Sequence, residues 1–117
     1  DLAQVMRMLG KDADRVQVLF VTVDPERDRP ELLAKFVPFF YPSFLGLYGD
    51  ARATAQAAKA FGVGYEKQYY KKGGYTLLHS VGTFLVGTKG QPLLLSSYGQ
   101  HAELLVQDIR LLLAADR

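Results

Sequence analysis

The 117-residue sequence contains no cysteine. From its own residues it can form no disulfide, no thiolate metal site and no cysteine nucleophile. Histidine is nearly as scarce, with only His79 and His101. No apolar run approaches the roughly 18 residues of a membrane span, and the opening "DLAQVMRMLGKD" lacks a signal-peptide layout. Charge of one sign is also missing: the formal net charge is +2, from scattered Lys and Arg apart from Lys71 and Lys72 beside Gly73 and Gly74. Tracking a phosphate backbone needs clustered cations, so nucleic-acid binding is disfavoured. A nucleotide enzyme is disfavoured as well, because no Gly-Lys-Ser/Thr phosphate loop occurs and "GVG" (62–64) lacks the rest of a dinucleotide fingerprint.

What is present is ordinary globular material, 49% hydrophobic and 22% charged, without repeats or low-complexity tracts. Residues 1–117 therefore read as one small domain. "DLAQVMRMLG" spaces Leu2, Val5, Met6 and Leu9 along one helical face, with Gly10 as its stop. "VQVLFVTV" (16–23) has no polar alternation and predicts a strand covered on both faces. In "DRPELLAKFVPFF", Asp28 and Glu31 fit a capping box and Pro30 the first turn. Leu32, Leu33, Phe36 and Val37 line one face of that helix, and Pro38 is expected to end or kink it. "FLGLYG" (44–49) predicts a second strand, and Asp50 a cap for an alanine-rich helix to Phe61, with Gly62 as its stop. Tight packing would account for the alanines.

Residues 65–78, with "YEKQYY" and "YTLL" around "KKGG", form either a β-hairpin or an irregular insertion. Two strands joined at Thr88-Lys89-Gly90 follow, then an amphipathic helix from His101 with Leu104, Leu105, Ile109, Leu112 and Leu113 on one face. Helix, strand, helix, strand, helix, insertion, hairpin, helix is an α/β order. It matches a thioredoxin-like three-layer sandwich in which the first central strand and the start of the first helix precede Asp1.

Two places could carry chemistry. "VDPERD" (23–28) follows a strand and opens a helix, where open α/β sheets build ligand sites. Its structural reading is sufficient by composition: Asp24-Pro25 turns, Arg27 pairs with a nearby acid, and Asp28 caps. The acids Asp24, Glu26 and Asp28 also suggest a hard-metal cluster, although their alternate spacing is expected to point them apart. His79 can be a metal ligand, a proton shuttle or a satisfied imidazole at the start of a strand, and composition alone favours the last. His101 reads as an exposed residue at a helix start. Ser80 beside His79 does not define a nucleophilic triad. The seven tyrosines suggest no site.

Taken together, "LFVTVDPERDRPELLAKFV", "FLGLYGD", "AKAFGVGYEK" and "HSVGTFLVGTKGQPLLLSSYG" resemble the SCO/SenC family of thioredoxin-fold copper proteins over nearly the whole chain. The resemblance implies a metallochaperone, not an enzyme, that loads the copper centre of cytochrome c oxidase. Such a protein holds copper through a Cys-x-x-x-Cys-Pro motif and one distant histidine. His79 matches the histidine, and Asp24 matches an acidic position at the mouth of the site, able to support the site or contact a partner. Two thiolates with one imidazole suit both copper oxidation states. The chain departs from the pattern in having Leu78 where many members carry Asp, and in lacking both cysteines. The expectation is a carboxy-terminal piece of a longer protein that by itself binds copper poorly.

The resemblance further implies the copper-receiving oxidase subunit and other copper chaperones as partners. It places the protein in the bacterial periplasm or mitochondrial intermembrane space, membrane-anchored by an amino-terminal helix. Alternatives on the same fold are a thiol-disulfide oxidoreductase, a peroxiredoxin-like enzyme and a binding module that has lost its site. Upstream residues separate them: Cys-x-x-x-Cys-Pro favours copper delivery, Cys-x-x-Cys redox exchange, and a lone cysteine peroxidase chemistry.

Overall fold

The computed structural model describes residues 2–79, 82–96 and 101–115, except for the side chain of His79. The chain divides into two compact units, Val18–Ser80 and the pair of segments Asp1–Gln17 with Val81–Arg117.

In the first of these units, β1 (Leu19–Val21) pairs in parallel with β2 (Leu45–Leu47), in register Leu19 to Leu45. The expected strand at 16–23 is thus only three residues long, and its side chains are half exposed rather than covered on both faces. Its one strand partner among the described residues is β2, and its cover within the unit is aromatic. The Phe20 ring lies tilted against Phe44 at 5.5 Å and Phe40 at 6.3 Å, and Phe44 is the most deeply buried residue of the unit.

Helix α2 (Pro30–Phe40) connects β1 to β2. Pro30 occupies the first turn, where its missing N–H costs nothing. The capping residue is Arg29, which makes no side-chain capping bond to the helix, and not Asp28, because the Asp28 carboxylate accepts the Thr22 hydroxyl instead, at 2.6 Å. The helix also continues through Pro38 to Phe40. A proline two residues from the end removes only one backbone hydrogen bond, in the final turn, and the helix runs on for two residues beyond it. Of the expected apolar face only Val37 is buried; Leu33 is partly covered, while Leu32 and Phe36 are exposed. Leu33 and Val37 lie over Gly46 of β2, which lets helix and strand approach closely.

Asp50 caps α3 (Ala51–Phe61) by accepting the Ala53 N–H at 2.8 Å. Gly62 closes it in the left-handed region, φ +70°, donating to Ala58 and Lys59 carbonyls. Most of the alanines of α3 are exposed, with Ala58 buried. Their place is better explained by intrinsic helix preference than by tight packing. Strands β3 (Tyr65–Tyr69) and β4 (Tyr75–His79) form an antiparallel hairpin, Tyr65 opposite His79 and Tyr69 opposite Tyr75. Its turn uses Gly73 and Gly74, both at positive φ.

In the second unit, α1 (Leu2–Leu9) buries Ala3, Val5, Met6 and Leu9. Gly10, φ +57°, then turns the chain into a short 3-10 helix to Arg15. Helix α1 packs on α4 (Ala102–Ala115), which buries Leu105, Val106 and Ile109. The buried stripe is narrower than the expected one, since Leu104 is exposed. Arg110 donates to the Met8 carbonyl and lies 3.7 Å from Asp12, and Arg15 donates to the Leu113 carbonyl. Strands β5 (Thr83–Val86) and β6 (Pro92–Ser96) make an antiparallel hairpin whose turn carries Gly90 at φ +78°.

Candidate functional site

The chain leaves β1 at Val21 and turns sharply at residues 24–28. The Asp24 carbonyl accepts both the Arg27 and Asp28 N–H groups, at 3.2 and 2.9 Å, and the Asp24 N–H donates to the Thr22 hydroxyl at 2.9 Å. These local bonds follow from the Asp-Pro sequence, since Pro25 presets its φ and Asp24 tolerates the turn. They leave the Asp24 carboxylate mostly buried, 9% exposed for the residue.

A buried carboxylate needs partners, and two reach it from different directions. The Tyr75 hydroxyl, from the first residue of β4, donates to Asp24 Oδ1 at 2.7 Å. On the other side the Arg27 Nε stands 3.7 Å from Asp24 Oδ2. Arg27 also lies over the Tyr75 ring, 3.7 Å from its centre, and donates to the Tyr75 carbonyl. Glu26 accepts from Lys67 of β3 and lies 3.5 Å from the Tyr75 hydroxyl. Lys67 stands 4.8 Å over the same ring. The expectation that alternate spacing holds the acids apart is corrected here: the tight turn brings Asp24 and Glu26 toward one hydroxyl, while Asp28 is bonded to Thr22.

The electrostatics follow the geometry. The hydrogen bond to Asp24 pushes the Tyr75 hydroxyl above its ordinary 10.0, helped by burial and by the charges of Asp24 and Glu26 and opposed by Arg27. The hydrogen bond to Glu26 holds Lys67 above its ordinary 10.5, with burial opposing. Tyr75 stays neutral and Lys67 charged throughout the physiological range.

His79 closes β4, four residues beyond Tyr75, rather than opening the following strand. The side chain of His79, like Ser80, lies outside the described residues. His101 is exposed just before α4, where its carbonyl accepts the Leu104 and Leu105 N–H groups. Asp24 is therefore joined to the strand that carries His79, through a tyrosine that residue type and spacing do not single out. No local signal marks Tyr75 or Lys67, because their partners lie 51 and 41 positions away.

No group of three His, Cys, Asp or Glu side chains able to hold a metal occurs among the described residues. The Asp24 and Glu26 carboxylates are hard oxygen donors already engaged by Tyr75, Arg27 and Lys67. Without cysteine, the residues present do not by themselves make a soft-metal centre. No helix among the described residues is long and apolar enough to cross a membrane.

Comparison with solved proteins places the architecture in the thioredoxin-like α/β class. ScoI of Bradyrhizobium japonicum, solved with copper bound, superposes with a TM-score of 0.82 at 31% identity, over 93% of this chain and 69% of that one. Apo Sco1 of Thermus thermophilus gives 0.80 at 39% identity, over 94% of this chain and 69% of that one. The SCO1/SenC family model matches residues 1–114, and the chain belongs to the SCO1/SenC family. The human mitochondrial SCO2 homolog is 36% identical over 126 residues, covering 99% of this chain and 45% of its own length. A putative copper-binding protein of Stutzerimonas stutzeri is 28% identical over 93 residues, 76% of this chain and 46% of its own. The chain spans about half the length of the curated relatives it matches.

Proposed function

We propose that this chain is the histidine-bearing part of a copper chaperone that assists assembly of the copper centre of cytochrome c oxidase. Copper is its cargo, His79 is one ligand, and two thiolates from outside these 117 residues are the others. Asp24 supports the site from the turn at the end of β1. The observation that carries the reading is the match of residues 1–114 to the SCO1/SenC family, which includes a relative solved with copper bound at 31% identity. Donor chemistry agrees with it. An imidazole with thiolates selects copper over hard ions, whereas the carboxylates here are engaged with cations and a hydroxyl. The copper-receiving oxidase subunit and other copper chaperones are the proposed partners. A membrane-anchored location in the periplasm or the mitochondrial intermembrane space is proposed with them, and a mitochondrial relative is consistent with the second of these.

Copper binding tests the reading in protein expressed from the complete gene. One copper per molecule is expected, and His79→Ala should weaken it by at least about 10-fold, the scale of losing a support or ligand at a metal. Unchanged affinity in His79→Ala refutes the assignment. Tight, stoichiometric and His79-dependent binding by residues 1–117 alone refutes the placement of the remaining ligands elsewhere.

A further inference from the structure

Tyr75 makes contacts through three different parts of one residue. Its hydroxyl donates to Asp24 at 2.7 Å and lies 3.5 Å from Glu26. Its ring is covered by the Arg27 guanidinium at 3.7 Å and the Lys67 ammonium at 4.8 Å. Its carbonyl accepts from Arg27. Every one of these partners except Lys67 belongs to the turn at 24–28, and Lys67 is itself tied to Glu26 of that turn. The turn is in its own right bonded to Thr22 at the end of β1. Tyr75, with the Lys67–Glu26 pair beside it, thus fastens the β3–β4 hairpin to the end of the parallel pair.

A two-stranded ribbon is marginally stable alone and takes its orientation from whatever it is attached to. Nearer the histidine, Thr76 and Leu77 are only half-buried and Leu78 is 51% exposed. His79 lies four residues beyond Tyr75, about 13 Å along an extended strand. A rotation of the hairpin about the Tyr75 anchor therefore becomes a displacement at His79. We infer that Tyr75 is a positioning residue, whose clamp on Asp24, Glu26 and Arg27 sets where β4 delivers His79 to copper. This rests on the reading of His79 as a ligand. Asp24 then serves the site by accepting the hydroxyl that holds the strand, and does not act on the metal.

The test uses protein from the complete gene, loaded with cupric ion and followed by paramagnetic resonance and by competition with a chelator. Tyr75→Phe keeps the ring and the backbone carbonyl but removes the hydroxyl. It should weaken copper by about 10-fold and split the single resonance species into more than one, while stoichiometry stays at one. Asp24→Ala, which removes the acceptor, should act in the same direction, and adding Tyr75→Phe to it should cost little more, because the bond is already lost. Asp50→Ala, which loosens α3 in the same unit without touching the hairpin, should leave the resonance unchanged.

Tyr75→Phe with wild-type affinity and spectrum, in a background where His79→Ala loses copper, overturns the positioning role and leaves His79 standing as ligand. An Asp50→Ala spectrum altered like that of Tyr75→Phe also overturns it, since general loosening would then suffice. If His79→Ala itself binds copper as the wild type does, both readings fall.

Discussion

Placing a methyl group on Gly46 is the most demanding single-atom test of how β2 meets α2. A Cβ there would lie 2.9 Å from the Cβ of Leu33 and 3.0 Å from Cγ2 of Val37. Carbon atoms pack comfortably at about 3.5–4.0 Å, so both contacts are deep in the repulsive region. Neither neighbour can turn aside easily. The Leu33 atom is fixed to the helix backbone, and Val37 is β-branched and buried. Relief therefore requires moving α2 off the strand, which overpacking measurements put at about 1–3 kcal/mol. Gly46→Ala also stiffens the unfolded chain, which offsets about 0.4–1 kcal/mol. The net expectation is a loss of about 1–2 kcal/mol, or roughly 1 M in urea midpoint at a slope of about 1–2 kcal/mol/M.

Gly87→Ala is the internal control for this argument. Its Cβ would meet Gln91 side-chain atoms at 2.4 Å, closer than anything at Gly46. Those atoms end a flexible exposed side chain, which swings away at the cost of its bond to the Lys89 N–H. Gly87→Ala should therefore cost less than about 1 kcal/mol. Chemical denaturation of the two variants side by side decides the matter. A Gly46→Ala protein as stable as wild type, or less affected than Gly87→Ala, refutes the close approach of α2 to β2.

Asp50→Ala removes the one side-chain acceptor seen at the start of α3 and should cost about 1 kcal/mol, measured as a shift of thermal midpoint, with Asp50→Ser restoring most of it. The hairpin clamp should also respond to alkali in a defined direction. Tyr75 and Lys67 are both raised above their ordinary values, Tyr75 first by its bond to Asp24 and Lys67 by its bond to Glu26. A raised group contributes stability that is complete below its ordinary value and disappears as pH climbs through the raised one. Their contribution should thus be constant near neutrality and fade only above the ordinary values of 10.0 and 10.5. In an ultraviolet tyrosinate titration, Asp24→Asn should bring one tyrosine to a lower pH; an unchanged titration would deny the Tyr75–Asp24 bond.

Several elements were legible because their causes are local. Asp50 and Gly62 bound α3 as their chemistry requires, one accepting an orphan N–H and the other taking a left-handed φ. Gly10 ends α1, and the turn containing Gly90 joins β5 to β6. Where the expectation and the fold part, the causes differ from case to case. Asp28 would cap α2 by spacing alone, but the Thr22 hydroxyl is within reach once β1 brings the turn round. Pro38 lies inside α2 because its cost falls on a terminal turn. The alanines of α3 answer to backbone preference, so exposure and burial leave the same trace in the sequence.

The sequence by itself determined the family, the α/β order, and the two positions, Asp24 and His79, around which a function could be argued. Residue type and spacing suffice for the α/β order, since turns and caps act within a few positions, whereas the roles of Asp24 and His79 come from the resemblance to the family. Only the tertiary structure decided that Tyr75 joins Asp24 to the strand bearing His79. That bond spans 51 positions, and nothing in the composition of one hairpin says which buried carboxylate the tyrosine opening β4 will meet.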